Sequence, residues 1–183
     1  ARLSNSSDFK RSTAEIMSQN PLGGVCGAVC PDTFCMRLCV HKNFDRALNI
    51  PDLQATIVQK AKDLGVMPEF NNATLNGKKI AIICAGPAGL AASAVLAQQG
   101  YLVEIFEKEN QAGGMCRLIP DHRLDKSVLD TDIEFLLSLG HIEIHYEEKI
   151  NGQILLFANG FEAVIVAFGL VIPLRCYIPG KEL

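Results

Sequence analysis

The sequence has no excess of positive charge: 17 Lys and Arg stand against 20 Asp and Glu, for a net charge of −3. That balance excludes an electrostatic footprint for nucleic acid, and the lack of a polybasic run excludes a charged membrane-surface tether. No apolar stretch is long enough to cross a bilayer, and the N-terminus has no secretory hydrophobic region, so the cytosol is the expected compartment. Internal repeats and low-complexity tracts are also missing. So are a Ser/His/Asp set and a carboxylate pair suited to acid–base catalysis. Asp121 and His122 are adjacent but have no identifiable substrate to act on.

Cysteine, by contrast, is abundant for a reducing compartment: there are seven, an odd number. Four of them fall in Cys26-x3-Cys30-x4-Cys35-x3-Cys39, a segment broken by glycine and proline. Clustered thiolates repel one another unless a soft cation or an iron–sulfur core binds them. Iron–sulfur ligation is favoured because these spacings are not the C-x2-C knuckles of zinc sites. Structural zinc and idle buried thiols remain open readings. His41 lies nearby and is expected on the surface.

The segment around which the rest is organised is Lys79 to Gly114. Ile80–Ile83 reads as a strand buried on both faces, followed by the turn Cys84-Ala85-Gly86-Pro87-Ala88-Gly89. A helix over Leu90–Gln99 stops at Gly100, and a second strand over Leu102–Phe106 ends at Glu107. This βαβ layout, with an acid about 20 residues after the turn, suits a dinucleotide. Gly86 would let backbone approach a phosphate, and Gly89 would let the helix pack on the strand. Cys84 stands where the first glycine of the G-x-G-x-x-G pattern belongs, crowding the turn at about 1 kcal/mol.

The remaining pattern predicts a helix over 7–19, a turn at Asn20–Gly24, a helix over Pro51–Gly65 and a linker over Val66–Gly77. Gly113-Gly114 is expected in a flexible loop and Ile119–Leu124 in an extended segment. A helix over Lys126–Leu139 then leads to a strand over Ile142–Tyr146. Strands over Ile154–Phe157 and Ala163–Ala167 flank the hairpin signal Asn159-Gly160, and Leu170–Leu183 reads as an extended tail. The expected class is α/β. A small helical cysteine-rich domain (1–66) and a linker (67–77) precede a Rossmann-like domain (78–183).

Seven short motifs occur in one order. They are Asn20-Pro21-Leu22-Gly23, Val29-Cys30-Pro31, Cys35-x3-Cys39, Leu48-Asn49-Ile50-x-x-Leu53-Gln54, the A-G-P-A-G-L turn, Phe106-Glu107-Lys108 with Gly113-Gly114, and Ile119-Pro120-x-x-Arg123-Leu124. The series resembles the iron–sulfur/FAD electron-transfer module of the dihydropyrimidine dehydrogenase and glutamate synthase small-subunit family. The resemblance covers nearly the whole chain, with Gln54 and Gly169-Leu170 leaning to the dehydrogenase side. It implies [4Fe–4S] ligation by Cys30, Cys35 and Cys39 with the amide oxygen of Gln54, and a non-ligand role for Cys26. It also implies an FAD-binding fold in which Gly86, Pro87, Ala88 and Gly89 hold the pyrophosphate and Glu107, followed by Lys108, meets the adenosine ribose. Gly113 and Gly114 would lie under the flavin side, with Arg123 and Gly169 close to it. Electrons would pass from NADPH to FAD and through the clusters to an acceptor domain or subunit. The family's upstream cysteine quartet, its NADPH domain and the end of its FAD domain have no match here. The resemblance therefore implies a fragment, incomplete as an enzyme and needing those domains as partners. The alternatives are an NAD-binding Rossmann protein without flavin and a zinc-stabilised interaction fragment.

Overall fold

The computed structural model describes residues 8–151 and 159–169. Helix α1 (Phe9–Gln19) starts at Asp8, whose carboxylate accepts a hydrogen bond from the backbone N–H of Arg11 at 3.0 Å. Helices α2 (Gly23–Val29) and α3 (Asp32–Leu38) follow, then a 3-10 turn (Val40–Asn43) and helix α4 (Ile50–Asp63). The start of α4 is coded locally. Pro51 sits in its first turn, Asn49 accepts from the N–H of Asp52, and Asp52 itself faces the positive helix end.

Helix α2 is not visible in the sequence pattern, because glycine in a helix costs about 1 kcal/mol per residue. Packing overrides that cost. A Cβ on Gly27 would lie 2.6 Å from the backbone nitrogen of Ala55 on α4, and one on Gly23 would lie 2.7 Å from the Met17 sulfur on α1. Only glycine lets three helices approach so closely. Helix α3 differs again, since none of its residues is buried.

The second half is a wound parallel sheet: β1 (Lys79–Ile83), α5 (Pro87–Ala97), β2 (Leu102–Phe106), a 3-10 turn (Gly114–Leu118), α6 (Lys126–Leu137), β3 (Ile142–His145) and β4 (Ala163–Val166). The strands lie in the order β3-β2-β1-β4, and every pairing is parallel. Their register aligns Ile82 with Ile105 and Ile165, and Ile105 with Ile144, giving an apolar face for the helices. Helix α5 begins at Pro87 rather than Leu90, because proline is preorganised for a first turn. Ile119–Leu124 is not extended as expected. The N–H groups of Arg123 and Leu124 both donate to the Pro120 carbonyl (2.9 and 3.1 Å), folding the chain back to Asp125, the N-cap of α6. The expected strand at Ile154–Phe157 and the tail from Leu170 lie outside the described residues.

One buried core joins the two halves, with Met17, Leu22, Val25 and Val58 packing in the same cluster as Ile82, Leu90, Ile105, Leu129 and Leu136. The intervening segment, free of helix and strand over 66–77, is pinned by Phe70, whose ring meets Phe135 edge-on at 5.8 Å.

Candidate functional site

Parallel strands bring their C-terminal ends to one edge, and ligands of such sheets bind where neighbouring crossovers diverge. Here that edge gathers the Cys84–Gly89 turn after β1, Glu107 after β2 and Gly169 after β4. The two glycines of the turn are glycine for different reasons. A Cβ on Gly89 would stand 2.0 Å from the Cys84 carbonyl oxygen, so the fold itself requires glycine. Gly86 has ordinary extended backbone (φ −73°, ψ 177°), and a Cβ there would meet only the Cys84 sulfur, at 3.6 Å. Nothing in the protein's own packing demands glycine at 86. A Cβ would instead fill the space in front of the N-terminus of α5, where the helix has no side-chain cap. Free backbone N–H groups and the positive dipole end at such a place suit a diphosphate.

Cys84 carries φ +88°, a left-handed conformation that glycine adopts freely and cysteine does not. The crowding read from the sequence is thus strain in the backbone, of order 1–2 kcal/mol. Burial pushes the Cys84 thiol up. The N–H of Gly86 opposes the shift, and the charge of Glu107 reinforces it. That direction favours the thiol over the thiolate.

Glu107 is only 2% exposed. Its carboxylate accepts from the N–H of Ala85 (2.7 Å) and from the N–H of Glu109 (3.0 Å), tying the phosphate turn to the end of β2 from beneath. Lys108 is exposed and pairs with Glu109 at 3.2 Å. Gly113 and Gly114 form a tight corner, not a loose loop: both have positive φ, and Gly113 donates to the Ala85 carbonyl at 2.9 Å. A Cβ on Gly114 would lie 2.9 Å from the Cα of Gly86, so this corner backs directly onto the turn. Pro87 and Ala88 open α5, and Gly169 is exposed past β4.

In the helical half, Cys30 is exposed at the end of α2, while Cys35 and Cys39 are half-buried on and after α3. The Cys39 sulfur accepts from the N–H of Leu48 at 3.5 Å, and that contact, with the His41 N–H, lowers its pKa. Such an environment favours the thiolate that metal ligation needs. Gln54 donates through Nε2 to the Gly23 carbonyl at 2.7 Å, leaving its amide oxygen as the free end. Cys26 is half-buried against the shared core. Arg123 reaches away from the nucleotide turn and donates to the Val29 carbonyl at 3.2 Å, next to Cys30.

Among the described residues, the one set of three groups close enough to share a single ion is Glu104, Glu143 and His145, within 4.8 Å of one another. There Lys79 and His145 both pair with Glu104, so a cation already occupies the carboxylate. Among the described residues, no three thiols lie that close together.

One functional group escaped the sequence. Asp132 on α6 is wholly buried and accepts from the backbone N–H of Val25 at 2.8 Å, at the start of α2. Its Oδ1 has no hydrogen-bond partner. Burial raises its pKa to about 7, against the pull of the Val25 and Gly24 N–H groups and of Lys62. The signal was its spacing: Asp132 falls between Leu129 and Leu136 on the apolar face of α6, where a carboxylate has to find a partner.

Comparison with known proteins fits this geometry. Residues 2–66 match a family model described as dihydropyrimidine dehydrogenase domain II, 4Fe–4S cluster, and residues 82–141 match one described as NAD(P)-binding Rossmann-like domain. The chain is 35% identical over 89% of its length to the NAD-dependent dihydropyrimidine dehydrogenase subunit PreT of Salmonella typhimurium. It is 36% identical over 88% to the NADPH-Fe(3+) oxidoreductase subunit beta of Geobacter sulfurreducens, and 33% identical over 85% to the glutamate synthase [NADPH] small chain of Escherichia coli. It spans 40%, 24% and 34% of the lengths of these proteins. No helix of the described residues is long and apolar enough to cross a membrane.

Proposed function

We propose that this chain is the electron-transfer piece of a cytoplasmic NADPH-dependent flavoprotein, an iron–sulfur oxidoreductase module of the kind found in the dihydropyrimidine dehydrogenase subunits and glutamate synthase small chains it is similar to. The observation that carries the flavin half is Gly86, a glycine the fold does not need, at a helix start where a dinucleotide pyrophosphate would touch backbone. Bound FAD would supply the step from two-electron to one-electron chemistry, and an iron–sulfur centre would carry the electrons onward.

The chain's own residues bind and orient. The N–H groups at Gly86, Ala88 and Gly89 would face the pyrophosphate, with Pro87 fixing the first turn of α5. The Gly113-Gly114 corner would close the back of the site, with Lys108 and Gly169 at its margins, while Arg123, bonded to the Val29 carbonyl, would serve the helical half instead. Glu107, buried and bonded through both oxygens to the N–H groups of Ala85 and Glu109, would shape the turn that receives the dinucleotide rather than meet the ribose itself. Cys30, Cys35, Cys39 and Gln54 would serve as ligands to [4Fe–4S] centres, with the other ligands, the NADPH domain and the acceptor supplied by segments or subunits beyond these 183 residues, in keeping with the 24–40% of the relatives' lengths that they span. Residues 1–66 and 78–183 act as the cluster-bearing and flavin-bearing units, joined through 67–77.

The Rossmann-like match leaves a second reading, in which the turn holds NAD itself and no flavin. Anaerobic purification of the longer protein decides between them. The expected result is a flavin absorbance that bleaches on adding NADPH, in a sample containing iron and acid-labile sulfide. A flavin-free protein that binds NAD would overturn the proposal.

A further inference from the structure

Helix α2 is held at both ends by side chains from the other half of the molecule. At its start the buried Asp132 carboxylate accepts from the N–H of Val25; at its end the Arg123 guanidinium donates to the carbonyl of Val29. The acceptor oxygen at the N-terminus and the guanidinium donor at the C-terminus each meet backbone groups that the helix itself leaves unpaired. Gly24 permits the first contact, since a Cβ there would lie 2.8 Å from Asp132 Oδ1. A third bridge runs parallel, from the Lys62 ammonium on α4 to the Ser127 carbonyl on α6 (3.3 Å). Helix α2 ends at Val29, and the next residue is Cys30.

We propose that Asp132 and Arg123 are positioning residues that clamp α2 by its two ends and fix the Cys30 segment against the nucleotide-binding unit. Neither is needed to build its own unit: Asp132 sits mid-helix in α6 and Arg123 in a turn. Both direct their polar groups to the backbone of one short helix across the boundary. The clamp sets the path between the two redox centres, so its kinetic consequence rests on the function proposed above; the clamp itself does not.

Hydrogen exchange on the 183-residue chain tests the clamp without any cofactor, comparing amides of Val25–Cys30 with those of β1 in the same molecule. In Asp132→Leu the α2 amides should exchange at least about tenfold faster, with β1 unchanged. Arg123→Met, which removes an exposed side chain and so leaves folding intact, should speed exchange about threefold toward Val29 and Cys30. Asp132→Asn keeps a carbonyl acceptor and should restore most of the protection. In the longer loaded protein, Asp132→Leu should slow reduction of the iron–sulfur absorbance at least about fivefold while flavin bleaching by NADPH keeps its rate. Unchanged α2 exchange in both Asp132→Leu and Arg123→Met would overturn the clamp, as would equal loss of protection at α2 and β1. Normal iron–sulfur reduction in Asp132→Leu would overturn the positioning role. A protein without flavin would sink the proposed function and leave the exchange result to stand or fall alone.

Discussion

The nucleotide turn and the cysteine segment are built in opposite ways. The turn is closed by its own chain: Glu107 holds Ala85, Gly113 donates back to Ala85, and Gly114 rests on Gly86. The cysteine segment leaves its apolar side chains in the open, with Phe34 66%, Leu38 84% and Phe44 87% exposed, and α3 buries nothing. A site for an organic cofactor can be shaped in advance by backbone alone, whereas a site for a metal cluster is completed by the cluster and by ligands from elsewhere. The difference teaches that the turn's shape is fixed by contacts within its own half, whereas the cysteine segment has few packing contacts of its own and meets the other half through α2.

The comparison is broken most severely by Gly89→Val. Its side chain would overlap the Cys84 carbonyl, and the protein should lose about 3–5 kcal/mol in denaturant unfolding together with its nucleotide site. The next effect is one of pH. Asp132 has a folded pKa of about 7, above its unfolded value, so the folded state holds the extra proton. Its favourable contribution is complete below the unfolded pKa, near 4, and is lost as pH rises through about 7, a change on the order of 4 kcal/mol. Unfolding profiles across that range should flatten in Asp132→Asn; a slope that persists would show another group responsible. Cys84→Gly relieves the φ +88° strain and should raise stability by about 1 kcal/mol, with tighter flavin binding. Smallest for the fold is Cys35→Ser. On an exposed helix it should change unfolding by less than about 0.5 kcal/mol, while iron content in the loaded protein falls and flavin content holds.

Much of the sheet was legible because its signals are local. Ile80–Ile83 and Leu102–Phe106 are short apolar runs next to turn residues, and both became strands within one residue of expectation. Helix α2 was hidden, because its stability comes from Ala55, Met17 and Asp132, partners distant in sequence that propensity does not register. The same distance hid the Asp132 contact and turned Arg123 toward Val29. At the candidate site, the role of Gly89 was readable from the motif, and the strain at Cys84 from its departure from that motif. The buried side of Glu107 was not, since the spacing that suggests a ribose contact equally suits a carboxylate bound to the turn's own amides.

The most direct measurement is the flavin content and unfolding free energy of Gly86→Ala in the longer protein. The account predicts unfolding within about 0.5 kcal/mol of the parent, because a Cβ at 86 meets nothing closer than 3.6 Å, with flavin affinity reduced at least about tenfold. Flavin bound at full affinity in that variant, or flavin lost only in step with folding, would contradict it.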